Sequence, residues 1–315
     1  MNEEQLINEL IKDMPRSNNQ LNKVFESDSE IIRGIDLDFS GQNLLFSTDE
    51  FSDEDLFNAK DPLVLGHNIA VGALTDIYAS GGEPLFYAHS LAADDKFNKK
   101  YLQQFYKGIG EVLKEAGVSF IGGDFGKAKA WRCTTSVIGR AKKPLLRSTA
   151  RVGDAIYITG QIGGGNILAA AKLMNIDIAK IKFHLPIKEA NTIREVATSC
   201  MDTSDGLFQA VNMIAQMSRV GFALDNLPYH KLGGMVAKLL GLPKELLFFC
   251  ECGEYELVFT APKEIKLPFY KIGEITRDKK TLYGKDISGF NLRAREFEDP
   301  KDYLKAVKSL CEGLL

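Results

Sequence analysis

The sequence predicts a protein of the α/β (α+β) class that is built from two domains. Runs of β-branched and aromatic residues alternate with apolar runs of helical period in both halves of the chain. The length of 315 residues lets each of two domains bury its own core. A polar stretch, KKPLLRSTARVGD at 142–154, interrupts the pattern near the middle of the chain. We therefore predict an N-terminal domain at 1–145 and a C-terminal domain at 146–315.

The elements of the first domain are predicted from periodicity and from capping residues. Residues 3–13 have the spacing of a short amphipathic helix. Asp61 and Pro62 are typical of a helix start, and the nearly all-apolar helix that follows should be buried and end at Gly81-Gly82. A second, amphipathic helix should end at Gly117. Strands are predicted at NLLFSTDEF (43–51), VSFI (118–121) and RCTTSVIG (132–139).

The second domain should begin with a strand at AIYIT (155–159), followed by the glycine-rich GQIGGGN and a helix. The stretch MDTSDGL at 201–207 precedes an apolar helical run to about Arg219, and Ser204 or Asp205 is the expected N-cap of that helix. The remaining predicted elements are a strand near Phe222, a helix at about 232–240, and strands at ELVFT (256–260) and YKIGEI (270–275).

Composition and charge exclude several classes of function. The net charge of −3 argues against a nucleic-acid-binding protein that works through a broad basic face. No apolar run approaches the roughly 20 residues that span a bilayer. The acidic start MNEEQLINELIKDM fits neither a signal peptide nor a transit peptide. We therefore expect a cytoplasmic protein that binds neither nucleic acid nor membrane.

The cysteines and histidines lack the spacing of a transition-metal site. Of the five cysteines only Cys250 and Cys252 are close together, and no second Cys or His pair completes a zinc site. The four histidines have no H-x-x-x-H or similar spacing. Free thiols in a reducing cytoplasm are therefore predicted, and a bound metal should be held by oxygen atoms.

Aspartates recur where a solvated surface charge is not expected. They lie within apolar stretches or at the ends of predicted elements, where α/β proteins build their sites. A buried carboxylate is costly unless it is paired or bound to metal, and clustered carboxylates call for a hard cation such as magnesium. Each aspartate alone is equally explained as a cap, a turn or a salt-bridge residue, but together they indicate an oxygen-lined metal site. These residues are Asp38, Asp49, Asp76, Asp124, Asp202 and Asp205.

Two glycine clusters have the composition of a phosphate-binding loop. GQIGGGN lacks the Lys-Ser/Thr of a P-loop and does not match G-x-G-x-x-G, so a plain tight turn explains it equally well. FIGGDFGK is more informative, because its glycines immediately precede an acidic residue.

Seven motifs, in this order, carry a resemblance to a known family: GIDLDF, STD, NIAVGALTDIYASGGEPL, FIGGD, LLRSTARVGDAIYITG, MDTSDGL and GEYELVF. They run from about Gly34 to Thr276, and their order and spacing together are specific although each motif is short. The chain resembles the thiamine-monophosphate kinases, within the PurM-like superfamily of aminoimidazole-ribotide (AIR) synthase.

The resemblance implies a two-domain PurM-like fold, in which the N-terminal domain completes a β-barrel with a second subunit and a C-terminal α/β domain follows. A homodimer is therefore expected, with ATP and several magnesium ions (Mg²⁺) in a cleft between the domains. Asp76 and Asp205 are the implied catalytic residues, and Glu254 is an implied substrate contact. Gly123, Arg147 and Ser204 would contact ATP. The implied metal ligands are Asp38, Ser47, Thr48, Asp49, Asp76, Asp124, Asp202 and Asp205.

The chain departs from the family pattern mainly where the substrate should bind. The usual His-Phe pair after STD reads Leu56-Phe57, so the histidine that contacts thiamine phosphate is absent. The usual G-D-D run reads Asp36-Leu37-Asp38, and G-G-E-D-Y-E-L appears one residue short at 252–257. The C-terminal aromatic residue that packs on the substrate has no clear equivalent in DISGFNLRAREF at 286–297.

The predicted function is ATP- and magnesium-dependent phosphoryl transfer to a phosphorylated small molecule, with conversion of thiamine monophosphate to thiamine diphosphate as the first candidate. Sister enzymes fit less well. Residues 1–132 lack the reactive Cys of a selenophosphate synthetase, and Cys311 is not the terminal residue that the hydrogenase-maturation dehydratase requires. An AIR synthase should show a Gly-rich turn with Lys after its first Asp. In this chain Asp38 is followed by Phe-Ser-Gly instead. A sister enzyme with another acceptor and a nucleotide-binding paralogue without catalytic activity remain the alternatives.

Overall fold

The computed structural model describes residues 21–23, 25–33, 41–55, 57–175, 181–239 and 241–314. The helix predicted at 3–13, the predicted metal ligand Asp38 and the substituted position Leu56 lie outside these described residues. Within them the chain forms two mixed β-sheets with helices packed on both, which confirms the predicted α/β (α+β) class.

The first sheet comes from the first half of the chain. Its described strands are β1 (Glu30–Arg33), β2 (Asn43–Ser52), β3 (Glu83–Ala93), β4 (Ser119–Lys127) and β5 (Arg132–Ala141). They lie in the order β1-β2-β5-β3-β4, and every neighbouring pair is antiparallel except the parallel pair β3–β4. Strand β4 is therefore an edge strand of the described sheet.

Helices α1 (Pro62–Ala79) and α2 (Lys99–Ala116) pack on this sheet and on each other. The predicted start of α1 is confirmed, because the Asp61 side chain accepts a hydrogen bond from the Leu63 N–H at 2.9 Å. The two helices cross at glycines: a Cβ atom at Gly66 would lie 2.0 Å from the Phe105 carbonyl oxygen. A Cβ atom at Gly108 would lie equally close to the Leu63 carbonyl oxygen, at 2.0 Å. The apolar helix α1 is thus buried and closely packed, as predicted.

The second sheet comes from the second half of the chain. Its described strands are β6 (Asp154–Ile158), β7 (Ser199–Asp202), β8 (Gly221–Leu224), β9 (Leu257–Pro262), β10 (Tyr270–Thr276), β11 (Lys280–Leu282) and β12 (Lys285–Asp286). They lie in the order β12-β11-β8-β10-β6-β9-β7. Strand β7 is thus an edge strand of this sheet, and its four residues are buried.

The helices of the second half are α3 (Gly164–Leu173), α4 (Ile187–Val196), α5 (Leu207–Ser218), α6 (Lys231–Leu239), α7 (Leu246–Phe249) and α8 (Pro300–Leu314). A short 3₁₀ turn at Ala294–Glu296 precedes α8. Strand β7 is covered by α1 from the first half of the chain. This contact brings the C-terminal part of α1 to the end of β7.

The two halves share apolar packing. One core cluster combines Leu45 and Ile77 with Phe259 of the second sheet, and a second cluster around Phe208 and Phe249 belongs to the C-terminal half. The boundary between 145 and 146 falls in the link at 142–153 that joins the two sheets, and it stays a prediction.

Two local predictions are wrong. Asp124 does not end a strand, because β4 continues through the double glycine to Lys127. Neither Ser204 nor Asp205 caps α5: the N-cap is Gly206, whose φ of 83° lies in the region that favours glycine and which offers no side chain. Eight of the described strands and helices were not predicted at all, namely β1, β3, β7, β11, β12, α4, α7 and α8.

The five cysteines are free thiols, as predicted, and four of them are buried. Among the helices of the described residues, none combines the length and the apolarity that crossing a bilayer requires.

Candidate active site

A cavity of about 450 Å³ opens where α1 meets the end of β7 and the middle of β2. We name it the acidic cleft. Most of the predicted metal and nucleotide residues that the structure describes line it. Its polar lining is Ser27, Asp28, Ser29, Ser47, Thr48, Asp49, Asp76, Arg147, Asp202, Ser204, Asp205, Gln209, Arg293 and Arg295.

Four carboxylates form the floor of this cleft: Asp28, Asp49, Asp76 and Asp202. Asp28, Asp76 and Asp202 each offer one carboxylate oxygen, and these three atoms lie within 4.8 Å of one another. Asp49 lies beside Asp76, close enough for each carboxyl group to affect the pKa of the other. The cluster joins a loop residue, a strand residue, a helix residue and the last residue of β7, so only the packed fold assembles it.

Burial perturbs the titration of the floor. Burial, together with the charge of Asp202, raises the pKa of Asp49 to about 7. Burial raises the pKa of Asp202 to about 6 against the opposing charge of Arg147. The pKa of Asp76 is raised well above its ordinary value by burial and by the charges of Asp49 and Asp202. A divalent cation would favour the ionised forms, so the cluster has the electrostatics of a cation site.

The donor set fits a hard cation in chemistry as well as in charge. Every candidate ligand in the floor is a carboxylate oxygen, which is the type that magnesium prefers. One of them, Oδ2 of Asp28, is buried and has no hydrogen-bond partner among the described residues. A buried polar atom without a partner is costly, and a bound cation would satisfy it.

The polar side chains of the stretch MDTSDGL hold Asp202 in place and do not cap the following helix. The Ser204 hydroxyl donates to Oδ1 of Asp202 at 3.0 Å. The Thr203 N–H donates to the Glu256 carbonyl at 2.9 Å, and the Thr203 hydroxyl accepts from the Glu256 N–H at 3.0 Å. These bonds tie the turn to the residue that precedes β9, so the oxygen-rich sequence serves to orient a cleft carboxylate.

Two predicted residues on β2 have partners that fix them in the cleft. The Ser47 hydroxyl donates to Oδ2 of Asp76 in a short hydrogen bond. The Thr48 hydroxyl donates to the Thr135 carbonyl at 2.7 Å across the sheet. The first contact supports an indirect role for Ser47, as a residue that orients Asp76.

Arg147 lines the cleft and forms an ion pair with Asp28, while its predicted contact with ATP stays a prediction. Its backbone N–H donates to the Glu26 carbonyl at 3.0 Å, which anchors the loop before β1. Asp28 was missed by the sequence analysis, because SDSE reads as an ordinary polar loop and only the fold carries it to Asp76.

At the rim of the cleft, Asp205 contacts Arg293, with its Oδ2 atom 3.2 Å from Nη2. Arg293 also lies beside Glu251, at 2.6 Å between Nε and Oε1. The sequence analysis missed both Arg293 and Glu251, since neither lies in a motif with recognisable spacing.

Three predicted site residues lie outside the cleft. Gly123 and Asp124 are exposed on β4 and do not line the cavity. Glu254 is buried and accepts hydrogen bonds from the N–H groups of Gly163 and Gly165, at 2.6 and 3.1 Å. Burial raises the pKa of Glu254 to about 8, although these bonds oppose the shift. Glu254 therefore holds the turn GQIGGGN, and the site roles of all three residues stay predictions.

A second cavity of about 280 Å³ lies beside the loop that carries position 56. Its lining includes Lys60 and Lys96 from the first half of the chain and Lys172 from α3. Lys96 pairs with Asp53 at 2.8 Å, and Lys172 donates to the carbonyl of Asp55 at 2.9 Å. We name this region the lysine pocket.

Comparison with known proteins places these features in a family. The family model of the AIR synthase related protein, N-terminal domain, matches residues 28–141. The thiamine-monophosphate kinase of Pyrococcus horikoshii is 31% identical over 226 residues, which cover 68% of this chain and 72% of that protein.

Solved structures show the same fold. The structure of AaThiL complexed with AMPPCP and TMP superposes with a TM-score of 0.78 at 22% identity, covering 90% of this chain and 93% of that chain. The hydrogenase maturation protein HypE of E. coli superposes with a TM-score of 0.66 at 20% identity, covering 91% of this chain and 94% of that chain. At these identities the likeness establishes a shared PurM-like architecture.

Proposed function

The chain belongs to the family of thiamine-monophosphate kinases, and on this premise we propose that it transfers the γ-phosphoryl group of ATP to the phosphate of a small molecule. By kinship it is an ATP-dependent phosphotransferase, and thiamine monophosphate is the first candidate acceptor. One observation carries the proposal: Asp28, Asp76 and Asp202 converge within 4.8 Å in a cleft that Arg147 and Ser204 also line.

In the proposed reaction an oxygen of the acceptor phosphate attacks the γ-phosphorus of ATP. The bond between this phosphorus and the oxygen that bridges it to the β-phosphate breaks, and ADP leaves with the electron pair. Two anions must approach each other, so catalysis depends on positioning and on positive charge around the phosphates. No side-chain nucleophile is required.

We propose magnesium as the cofactor, since the residues present fit it. Asp28, Asp49, Asp76 and Asp202 would hold it at the floor, and Asp205 at the rim. When bound, magnesium supplies the charge that offsets the phosphates and carboxylates. Arg147 and Ser204 would contact ATP, while Ser47 orients Asp76 through its hydrogen bond. Asp38 lies outside the described residues, and its role as a ligand remains part of the proposal.

For the acceptor, the lysine pocket supports a phosphorylated molecule. Lys60, Lys96 and Lys172 line this pocket, and the acids Asp53, Glu54 and Asp55 lie close enough to act on the charge of Lys172. The three ammonium groups are the donors that an anionic group of the acceptor would meet there. Leu56 offers neither a donor nor an acceptor, so the loss of the family histidine should weaken thiamine phosphate binding.

We further propose a homodimer formed through β4. This edge strand exposes three large apolar side chains, with Phe120 at 50%, Ile121 at 55% and Phe125 at 50%. Exposed apolar edges invite pairing, and a two-fold partner would cover this one. Gly123 and Asp124 lie on the same strand, so their predicted contacts with ATP and magnesium would depend on the assembly. The free thiols of all five cysteines support the proposed cytoplasmic location.

The experiment that tests the proposal measures ADP release from ATP and magnesium across a panel of phosphate monoesters that begins with thiamine monophosphate. We expect turnover with at least one monoester, and a raised Michaelis constant for thiamine monophosphate. Leu56→His should lower that constant by roughly tenfold, which corresponds to one recovered hydrogen bond of about 1.4 kcal/mol. Leu239→Asp, at an exposed position on α6, is a control that should leave the constant unchanged.

Three results would change this account. If the native protein already uses thiamine monophosphate at low micromolar concentration, the substitution at position 56 does not matter. If another monoester is the better acceptor, this chain transfers the phosphoryl group to a different substrate from the one its family name implies. If ATP binds but no monoester is phosphorylated, the proposed kinase activity is wrong and a nucleotide-binding paralogue is the better account.

A further inference from the structure

A segment at 286–297 brings two arginines to the acidic cleft. Arg293 and Arg295 both line the cavity, although the motifs of the family end near Thr276. The aromatic residues of this stretch do not reach the cleft. Phe290 is buried against Phe249, with ring centroids 4.2 Å apart, and neither it nor Phe297 lines the cavity.

Arg293 is fixed by groups on three sides. Its Nη2 donates to Oδ2 of Asp205 at 3.2 Å, and its Nη1 donates to Oε1 of Gln209 at 3.2 Å. Its Nε lies 2.6 Å from Oε1 of Glu251. The Arg293 side chain is 21% exposed, while the side chains of Asp205 and Glu251 are 59% and 9% exposed. The guanidinium thus lies between a buried carboxylate and a carboxylate at the mouth of the cleft.

Two of these partners, Glu251 and Gln209, also hold the backbone of the segment that carries Arg293. The Ala294 N–H donates to Oε2 of Glu251 at 2.8 Å, and the Gln209 side-chain amide donates to the Leu292 carbonyl at 3.3 Å. The stacking of Phe290 adds an apolar anchor. A side chain on such a support is held in position before any ligand arrives, which is what electrostatic catalysis needs.

Arg293 retains donors for a ligand. A guanidinium has five N–H groups, and two of them form hydrogen bonds with described residues, one on each terminal nitrogen. Each terminal nitrogen therefore keeps a second N–H group that has no partner in the described part of the chain. Planar N–H pairs of this kind bind phosphate oxygens in bidentate fashion.

We propose that Arg293 is a further catalytic residue, which contacts phosphate oxygens in the acidic cleft and stabilises the charge that develops during phosphoryl transfer. This inference rests on the proposed function. The shared chemistry is a phosphate anion, and either ATP or the acceptor can supply it. If the phosphate belongs to ATP, the loss of Arg293 should weaken the binding of the nucleotide. If it belongs to the acceptor, the loss should raise the Michaelis constant of the acceptor.

The test compares the full-length native protein with Arg293→Met and Arg293→Lys. Affinity for AMPPCP with magnesium is measured by calorimetry, and kcat and the two Michaelis constants are measured with ATP and the best acceptor. We expect Arg293→Met to lower kcat by about 100-fold or more, and Arg293→Lys to recover part of the loss because it keeps the charge without the planar fork. A weaker AMPPCP affinity assigns the contact to ATP, and a raised acceptor constant with normal AMPPCP affinity assigns it to the acceptor.

Two further variants separate catalysis from folding. Arg277→Met removes the same charge from an exposed surface position and should behave like the native protein. Arg293→Met leaves Glu251 buried without its cation, so the double variant Arg293→Met/Glu251→Gln restores a neutral, foldable environment. The proposal predicts that the double variant has the same unfolding temperature as the native protein. Its kcat should stay as low as that of Arg293→Met.

The proposal is overturned if Arg293→Met matches Arg277→Met within about twofold in kcat, in both Michaelis constants and in AMPPCP affinity. It is also overturned if the double variant regains native turnover, since Arg293 would then act only on folding. If the native protein binds AMPPCP without turnover, the proposed kinase function fails, while the AMPPCP affinity of Arg293→Met still decides whether Arg293 contacts phosphate.

Discussion

The floor of the acidic cleft and the edge strand β4 both carry residues that the family resemblance assigns to magnesium and ATP, yet their surroundings differ. Asp76 and Asp202 are covered by packing between α1 and β7, and their carboxylate oxygens converge with one from Asp28. Gly123 and Asp124 are exposed and lie among three exposed apolar side chains.

The two regions differ in how much of the site a single chain completes. The floor is assembled by core contacts within the chain, and burial perturbs the pKa values of its acids. The edge strand has neither feature, because Gly123 and Asp124 are exposed. This difference is what the proposed cation at the floor and the proposed second subunit at the edge would each account for.

The largest expected effect comes from removing a floor charge. Asp76→Asn should lower turnover by about 100- to 1000-fold, since it removes a negative ligand oxygen that positions the cation. The same change should leave the protein folded and make it more stable in chelator at pH 8, because a buried charge is relieved. Steady-state kinetics and thermal unfolding in chelator check both parts.

Asp124→Asn is the matched control for this comparison. It changes turnover only if the edge strand reaches ATP, and it should not alter stability in chelator, because Asp124 is exposed. Equal stabilisation by both substitutions would contradict the distinction between floor and edge. Native turnover in Asp76→Asn would exclude a shared metal site.

The second prediction concerns the edge. Phe125→Asp should convert a dimer to a monomer at micromolar concentration, because a charge at an exposed apolar edge opposes pairing. We expect turnover to fall by at least about tenfold if Gly123 and Asp124 act across the interface. Light scattering and kinetics on the same samples measure the two effects together.

Leu239→Asp serves as the control for Phe125→Asp, since Leu239 is 86% exposed on α6 in the other half of the chain. It should remain a dimer with native turnover. A monomeric native protein, or a fully active monomeric Phe125→Asp, would show that the edge strand plays no part in the site.

The smallest expected effect is a pH dependence of stability that belongs to the floor. The pKa of Asp49 is about 7 and that of Asp202 about 6 in the folded protein, against 3.8 for an ordinary aspartate. Between these values the folded state binds more protons than the unfolded state. The contribution of Asp49 and Asp202 to the stability of the folded state is therefore greatest at low pH and is lost as the pH rises through about 6 to 7.

Thermal unfolding in chelator at pH 5 and pH 8 measures this slope. Each kcal/mol of stability corresponds to about 2–4 °C in the unfolding temperature of a domain of 150–250 residues. We therefore expect the unfolding temperature to fall by at least about 2–4 °C between pH 5 and pH 8 because of Asp49 and Asp202. Asp49→Asn should flatten the slope, and magnesium should reduce it by displacing the protons. An unchanged slope in Asp49→Asn would mean that other groups cause it.

Local features of the fold were largely predictable from sequence. The start of α1 at Asp61 and the end of α2 at Gly117 follow from local capping chemistry, which depends only on neighbouring residues. The capping prediction in MDTSDGL was wrong for a tertiary reason. Ser204 bonds to Asp202 and the turn is tied to Glu256, so Gly206 begins the helix instead.

The α/β class, the family and the residue types of the site follow from the sequence alone, because periodicity, caps and ordered motifs are local properties of the chain. Which of those residues meet depends on how the chain packs. The tertiary structure joined Asp28 to Asp76 and Asp202, brought Arg293 to Asp205, and left Glu254 holding a glycine turn. Burial, ion pairing and perturbed pKa values arise between residues that are distant in sequence. The packing of α1 against β7, for example, brings the carboxylates of Asp76 and Asp202 together.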